Sequence, residues 1–348
     1  AADFVHQEAV LELSRKLAQE IEAPLDIDGH ELLPKVRIGI SQPQHETLDA
    51  AALVKNGMSA AAHTSSETHR FYRPAIDEEN RRRVTMESAL RRALDEDGLT
   101  IAYQPKVDLV TGKVVGLEAL ARWQSPELGR VSPAQFIPVA EASGLIVPLT
   151  EWVLAETTRQ AIEFLRHIPD LQNIALNVSG GYFSRDGFVQ SLQRALTAND
   201  LNPAFLQIEI TESVLMADVD FCAARLRELK ALGVSVALDD FGTGYSSLAY
   251  LHRFPIDTLK IDRSFVSRLF DAEEDGQAIV SAIVALARTL NLSVVAEGVE
   301  TARQVDFLAE LGCHEGQGYF FAKPLSAGEL VQWALQPSIP KVASGSSG

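Results

Sequence analysis

Most of the chain alternates between short apolar runs rich in β-branched residues and longer stretches whose apolar residues recur three and four positions apart. The first pattern is typical of buried strands and the second of amphipathic helices, one of which ends at Gly233, a common stop signal. The predicted strands are 99–107, 114–123, 173–179, 205–211, 234–240, 258–262, 293–299 and 316–322. The predicted helices include 151–166, 220–233, 277–292 and 301–312.

Eight such strands, separated mostly by helices within about 250 residues, predict an α/β fold of the TIM-like (β/α)8 barrel type. An open doubly wound sheet is the alternative. Nearly every predicted strand carries a charged or amide residue in its C-terminal half. A barrel draws its functional residues from the ends of many strands, whereas an open sheet concentrates them at one switch point, so this distribution favours the barrel.

The N-terminal part of the chain has a different pattern, in which two helices flank one strand and a polar stretch precedes a third helix. These segments are, in order, 4–21, 33–41, 48–64, 65–83 and 84–98. We therefore expect a small α+β fragment with its linker at 1–80, a barrel domain at 85–337 and a flexible tail at 338–348.

Composition and charge narrow the class of protein. The formal net charge of −16 argues against a nucleic-acid polymer as a partner, because such binding depends on lysine and arginine. Cys222 and Cys313 form no C-x-x-C pair, so we expect neither a structural zinc site nor a disulfide framework, and we expect a cytoplasmic location. No apolar run approaches the ~20 residues of a membrane helix. The chain has no initiator methionine or signal-peptide pattern, so we expect a piece of a longer protein, whose upstream part could carry a membrane tether.

Acidic and amide side chains follow apolar strand residues at six positions. Each alone fits a solvated loop start or a helix N-cap, but six at one barrel rim would repel each other unless cations bind there. All-oxygen ligands suit Mg²⁺ or Mn²⁺, and two such ions with Lys260 would offset the five carboxylates and admit a phosphodiester. The six positions are Glu118, Asn177, Glu209, Asp239, Asp240 and Glu297.

Two basic residues and one glycine-containing loop accompany these carboxylates. Lys260 lies in an apolar strand, where it would orient a water or stabilise transition-state charge, unless it is a snorkelling or edge lysine. Arg122 shares a strand face with Glu118 and suits either phosphate contact or a structural salt bridge. Loop 241–247 reads G-x-G-x-x-S after two aspartates that would repel a pyrophosphate, so an active-site loop is preferred to a dinucleotide fingerprint.

The ordered set of motifs closely resembles the EAL-domain cyclic di-GMP phosphodiesterases over residues 85–337. The name-giving triplet is Glu118-Ala119-Leu120, within GLEALARW. The other motifs are YQPKVDL, NVS, EITE, DDFGTGYSS, LKID, EGVE and QGYFFAKP. The resemblance implies a metal-dependent hydrolase in bacterial signalling that cleaves one phosphodiester bond of cyclic di-GMP to give linear pGpG.

The resemblance also implies roles for individual residues. The ligands of two Mg²⁺ or Mn²⁺ ions would be Glu118, Asn177, Glu209, Asp239, Asp240, Asp262 and Glu297. Lys260 and Glu297, with Glu118, would carry catalysis by positioning or deprotonating the attacking water. The residues that contact substrate or metal-bound water would be Gln104, Arg122 and Gln317. Glu212 would hold the loop of Phe241, Gly242, Thr243 and Gly244, which contributes to the dimer interface in the family, so we expect a homodimer.

Two other functions stay open at this point. Many members of the family have lost catalysis and act as cyclic di-GMP receptors, here through dimerisation, although none of the residues just named is missing. A metal enzyme with a non-nucleotide substrate is a third hypothesis, since a fold does not set a function.

Residues 1–80 resemble the C-terminal part of a GGDEF domain, in a degenerate form. Gly57-Met58 stands where that family usually has Ala-Asp. The signature loop of that family would precede residue 1, so we expect no cyclase activity from this chain.

Overall fold

The computed structural model describes two compact units, Ala1–Ser88 and Ala89–Gly348. No helix in the described part of either unit is both long and apolar enough to cross a membrane. The described residues are 2–27, 30–42, 49–62, 68–96, 98–242, 248–271 and 276–335.

The N-terminal unit contains a strand–helix–strand arrangement in which two short parallel strands are joined by a helix. Its elements are α1 (Ala2–Ile21), β1 (Leu25–Ile27), β2 (His30–Leu32), β3 (Ile38–Ile40), α2 (Ala50–Ala62) and β4 (His69–Phe71), and α3 (Pro74–Asp95) begins within it. A Cβ atom on Gly39 would lie 1.7 Å from the carbonyl oxygen of Gly57, so only glycine lets α2 pack this closely on β3. The stretch 65–83, expected to be a linker, contains β4 and the first turns of α3.

The C-terminal unit is an eight-stranded barrel, as predicted. Its strands are β5 (Leu99–Asp108), β6 (Val114–Ser125), β8 (Asn173–Asn177), β9 (Leu206–Thr211), β10 (Ser235–Phe241), β11 (Thr258–Ile261), β12 (Ser293–Ala296) and β13 (Glu315–Gly316), with β7 (Gly129–Val131) as a hairpin on β6. Its helices are α4 (Pro133–Ser143), α5 (Ile146–His167), α6 (Gly180–Phe183), α7 (Phe188–Ala198), α8 (Glu212–Ala217), α9 (Val219–Leu232), α10 (Leu248–Leu251), α11 (Arg263–Ser267), α12 (Gly276–Thr289), α13 (Ala302–Leu311) and α14 (Ala327–Ala334).

The first strand, β5, closes the barrel, because it pairs on one side with β6 and on the other with the last strand, β13. All pairings from β6 through β8 and on to β13 are parallel, but β5 is antiparallel to both of its neighbours. This departs from a regular (β/α)8 barrel. The connection from β5 to β6 is a short turn, which can join antiparallel strands but not parallel ones.

The last predicted strand, 316–322, is mostly wrong, since only Glu315–Gly316 pairs with its neighbours and a turn follows. Gly318 explains the change. A Cβ atom there would lie 2.1 Å from the carbonyl oxygen of Val299, so the chain crosses over Val299 instead of extending.

Parallel strands bring their carboxyl ends to one rim of the barrel, and the outer helices cover the strands with apolar side chains. The long helix α5 packs on β5, where Phe164 meets Tyr103 edge to face at 4.7 Å between ring centres. Helix α9 starts at an N-cap, Asp218, and ends at Gly233 with a φ of 89°, so the predicted stop is confirmed. The polar residues at the strand ends therefore share one mouth.

Candidate active site

Lys260 lies at the centre of the polar residues in the barrel mouth. Its side chain is 1% exposed, which excludes a snorkelling or edge lysine. Its Nζ lies 2.6 Å from Glu209 Oε2, 2.7 Å from Glu297 Oε1 and 3.1 Å from Asp239 Oδ1. One ammonium group thus joins carboxylates from three other strand ends.

Glu209 is held by a second buried lysine. Lys106 Nζ donates to Glu209 Oε1 at 2.7 Å and to Gln207 Oε1 at 3.0 Å. Burial opposes the charge on Glu209, but Lys106 and Lys260 outweigh it and hold its pKa down to about 2. Glu209 is therefore a permanent anion with each carboxylate oxygen bound by one lysine.

Glu118 occupies the opposite side of the mouth and is held by amide groups. Asn177 Nδ2 donates to Glu118 Oε1 at 2.7 Å, and Gln317 Nε2 donates to Glu118 Oε2. Gln104, which is paired with Glu118 across β5 and β6, accepts from Gln317 Nε2 at 3.1 Å. Four predicted site residues thus form one hydrogen-bonded group.

Asp239 and Asp240 follow one another at the end of β10, where the pairing with β11 shifts register between Leu238 and Phe241. Asp240 has a φ of 54°, a left-handed conformation that is uncommon outside glycine but tolerated by aspartate and asparagine. Its backbone N–H donates to Asp239 Oδ1 at 2.9 Å. Such local strain is found at functional sites, where the surrounding structure holds it in place.

The electrostatics of the mouth show an excess of negative charge. Burial raises the pKa of Glu118, of Asp239 and of Glu297, the last to about 8, although Lys260 opposes each increase. Burial also raises the pKa of Asp240, with a further increase from Asp262. Because a charge is costly to bury without a partner, the cluster favours either protons or bound cations.

Two predicted site residues have partners outside the cluster. Asp262 caps α11, where its Oδ1 accepts from the backbone N–H of Ser264 at 2.9 Å, so one oxygen of this predicted ligand already has a partner in the helix that follows it. Arg122 is half-buried and its Nη1 donates to Ala121 O at 2.9 Å. Within the described ranges it forms no ion pair, so the structural salt bridge considered from sequence is absent.

A pocket of about 420 Å³ opens onto this mouth and contains five of the predicted residues. They are Gln104, Glu118, Asp239, Glu297 and Gln317. The same pocket is bordered by Tyr319 of the QGYFFAKP motif, by Glu300 of the EGVE motif, and by Arg263 and Ser267, for which no role was expected from sequence.

The described residues include only the first part of the predicted loop. Glu212 is the first residue of α8 and is 7% exposed. Phe241 ends β10, and Gly242 has a φ of 93° beside the ring of Phe265. Thr243 and Gly244 lie outside the described residues, so the roles expected for this loop and for Glu212 stay predictions.

The residues of the mouth fit a divalent cation by their chemistry. Five carboxylates face two lysines, and the buried Gln317 Oε1 has no hydrogen-bond partner among the described residues. The candidate ligand atoms of the carboxylates and of Gln317 are all oxygens, which suits Mg²⁺ or Mn²⁺. No group of three or more His, Cys, Asp and Glu within the described part of the chain is already arranged around a metal position. Three of the carboxylates instead contact Lys260.

Comparison with known proteins agrees with this geometry. The model of the EAL domain family matches residues 87–324. The chain belongs to the EAL domain family. Among solved structures, an EAL-domain complex of the MucR phosphodiesterase with cyclic di-GMP superposes with a TM-score of 0.68 at 48% identity, over 71% of this chain and 99% of that one. The structure of the cGMP-bound EAL enzyme Bd1971 superposes with a TM-score of 0.68 at 32% identity, over 74% of this chain and 71% of that one.

Two curated relatives extend the comparison along the chain. The bifunctional diguanylate cyclase/cyclic di-GMP phosphodiesterase MucR of Pseudomonas aeruginosa is 41% identical over 322 residues, 92% of this chain and 47% of MucR. The cyclic di-GMP phosphodiesterase NbdA of the same organism is 38% identical over 338 residues, 95% of this chain and 43% of NbdA. The chain thus spans about half the length of these relatives.

Sequence reasoning missed one residue at the centre of this EAL domain, Lys106. The signal was present, because Lys106 follows Gln104 at the strand period of two and so shares its face. A lysine inside the apolar run of β5 needs a buried partner. The charge count made from sequence, which used Lys260 alone, therefore omitted one positive charge.

Proposed function

We propose that this EAL domain hydrolyses one phosphodiester bond of cyclic di-GMP to linear pGpG at the barrel mouth, with divalent cations. The observation that carries this proposal is the convergence of Glu118, Asp239 and Glu297 on one pocket around the buried Lys260. Family membership, and two relatives named as cyclic di-GMP phosphodiesterases, support the choice of substrate.

The cations would be held by Glu118, Asn177, Glu209, Asp239, Asp240 and Glu297, with Asp262 nearby. Bound there, they would supply Lewis-acid activation of water and neutralise charge on the phosphoryl oxygens. Two ions of Mg²⁺ or Mn²⁺ would supply four positive charges against the three negative charges by which the five carboxylates exceed the two lysines, so the loaded mouth would be slightly positive and could admit a phosphodiester.

The chain's own residues would orient and deprotonate the attacking water. Burial raises the pKa of Glu297 to about 8, so its ionised form, which bound cations would favour, is a strong enough base to accept a proton from water. Lys260 stays protonated, since burial is outweighed by carboxylates that raise its pKa, and its charge would stabilise the phosphorane-like transition state. Gln104, Gln317 and Arg122 would contact the substrate.

Incubation of the chain with cyclic di-GMP and either Mg²⁺ or Mn²⁺, followed by chromatography of the nucleotides, tests the proposal. We expect pGpG to accumulate and a chelator to stop its formation. Intact cyclic di-GMP with both metals would contradict the hydrolase. If the nucleotide bound tightly but were recovered intact, the receptor function would replace it.

We also propose that residues 1–80 are a degenerate C-terminal fragment of a GGDEF-like domain. The parallel β3 and β4, joined by α2, and an alignment with MucR that covers 92% of this chain support this assignment. Residues 1–80 produced alone should then unfold without a cooperative transition, because such a fragment lacks most of its sheet. A sharp thermal transition for that segment would contradict the assignment.

A homodimer and a cytoplasmic location complete the proposal. The dimer is testable by light scattering during size-exclusion chromatography, with the chain's 37.9 kDa as the monomer reference. A single monomeric mass at all concentrations would exclude it.

A further inference from the structure

Lys106 lies inside the barrel and has no contact with solvent. Its side chain is 0% exposed, and it is not among the described residues that border the pocket. Its Nζ nevertheless reaches Glu209 Oε1 at 2.7 Å. Among the predicted site residues that the structure describes, Lys106 therefore contacts Glu209 alone, although its charge also opposes the rise in the pKa of Glu118.

Several neighbours are fitted to the Lys106 side chain. Gly116 is its partner in the β5–β6 register, and a Cβ atom there would lie 3.2 Å from Lys106 Cδ, so glycine leaves room for the lysine stem. Gln207 accepts from Lys106 Nζ at 3.0 Å, and its own Nε2 donates to Thr258 Oγ1 at 3.2 Å. The lysine is thus fixed from β5, β6, β9 and β11 at once.

The two oxygens of Glu209 consequently have different partners. Oε1 is bound by Lys106, and Oε2 is bound by Lys260 at 2.6 Å, together with Asp239 and Glu297 on the same ammonium group. Only Oε2 faces the cluster that is proposed to hold metal. Side chains that orient metal ligands from behind commonly change metal affinity or activity 10–100-fold when removed.

We propose that Lys106 is a positioning residue that holds Glu209 by Oε1 and so presents Oε2 to Lys260 and to a divalent cation. This inference rests on the proposed function, since it assigns Glu209 to the metal site. Lys106 has an alternative role as a mere counter-charge. The two roles predict opposite changes in cation affinity when the ammonium group is removed. Removing a counter-charge would strengthen cation binding, whereas removing a positioning group would weaken it.

Binding of Mn²⁺ to the full chain without nucleotide, measured by electron paramagnetic resonance, separates the two roles. Lys106→Met keeps the length and apolar stem of the side chain but removes the ammonium group. We expect a roughly 10–100-fold weaker Mn²⁺ affinity and a similar fall in kcat, with KM for cyclic di-GMP changed less than about twofold. Unchanged or tighter Mn²⁺ binding would overturn the inference.

Glu209→Gln provides the second arm. If Lys106 acts only through Glu209, Lys106→Met changes Mn²⁺ affinity in the parent chain but not in the Glu209→Gln background. An equal loss in both backgrounds would show a general structural defect and overturn the inference. If Lys106→Met does not fold, Lys106→Gln, which keeps one donor group, takes its place in both arms.

Lys113→Met is the matched control. Lys113 lies in the turn between β5 and β6, and its Nζ is 3.1 Å from a carboxylate oxygen of Asp170, but unlike Lys106 it is exposed. This variant should bind Mn²⁺ and turn over as the parent does. A parent chain that binds Mn²⁺ more tightly than Lys106→Met yet leaves cyclic di-GMP intact would support the inference and refute the proposed function. A parent that binds no Mn²⁺ would refute both.

Discussion

Lys260 Nζ lies 2.7 Å from Glu297 Oε1, in a pocket where burial raises the pKa of Glu297 to about 8. The ammonium group favours the ionised carboxylate, but burial and the nearby Asp239 and Glu118 favour the proton more strongly. Protons and cations therefore compete for the same carboxylate near neutral pH.

The effect of pH on stability follows from this competition. Between the ordinary pKa of 4.5 and about 8, native Glu297 holds a proton that the unfolded chain has released. The metal-free chain is therefore stabilised by Glu297 at low pH and loses that contribution as pH rises through about 8. Metal binding requires the ionised form, so the increase in Tm caused by Mn²⁺ should grow from about pH 6 to about pH 8.5. Thermal scans with and without Mn²⁺ across this range check the prediction, and an increment that is constant or falls would refute it.

Glu118→Gln tests the glutamate that lies opposite Lys260. The substitution keeps the shape and one acceptor oxygen but removes the negative charge that would bind a cation. We expect turnover to fall by at least about 100-fold. Removing a residue that only hydrogen-bonds to a metal ligand already lowers metal affinity or activity by about 10–100-fold, and Glu118 is proposed to be a ligand itself. The matched control is Glu141→Gln on the exposed face of α4, which should leave turnover unchanged. Turnover retained in Glu118→Gln would overturn the metal assignment.

Lys260→Met tests the role of the buried ammonium group in stability. Without metal, it leaves Glu209, Asp239 and Glu297 facing each other with no shared cation. Breaking a buried ion pair from one side costs about 3–5 kcal/mol, whereas the exposed control Lys113→Met should cost about 1 kcal/mol at most. Urea unfolding of the two variants gives both values. Equal stability of Lys260→Met and the parent would show that the cluster does not depend on this lysine.

Asp240→Asn separates backbone conformation from charge. Asparagine accepts the left-handed conformation at a φ of 54°, so Tm should stay close to that of the parent while turnover falls by at least about tenfold. Asp200→Asn is the control, because Asp200 has a φ of 50° and is exposed, away from the pocket. Parent-like turnover in Asp240→Asn would remove Asp240 from the site.

Much of this site could be predicted because a recognisable sequence pattern marks the strand ends. A polar residue after an apolar run, as in Glu118, Glu209 and Asp239, marks the rim of a barrel whose order of strands follows the chain. The antiparallel β5 was missed although the sequence held the clue. The turn between Asp108 and Val114 is too short for a parallel crossover.

The remaining differences depend on tertiary contacts that no local pattern encodes. The apolar residues after Gly316 resemble a strand, but the close approach of Gly318 to Val299 forces a turn. The strand period places Lys106 inside the barrel, but its partner could not be predicted, because only the folded barrel brings Glu209 to 2.7 Å from its Nζ. The N-cap formed by Asp262 is the exception among these differences, because it fits a local D-x-S pattern in which a side-chain oxygen accepts from the N–H two residues on.

Anomalous diffraction from crystals of the chain grown with Mn²⁺ would locate the cations themselves. We expect manganese peaks at the barrel mouth, within ligand distance of oxygens of Glu118, Asp239 and Glu297. Peaks only elsewhere, or none at a saturating Mn²⁺ concentration, with Lys260 still bound to three carboxylates, would contradict the proposed metal site.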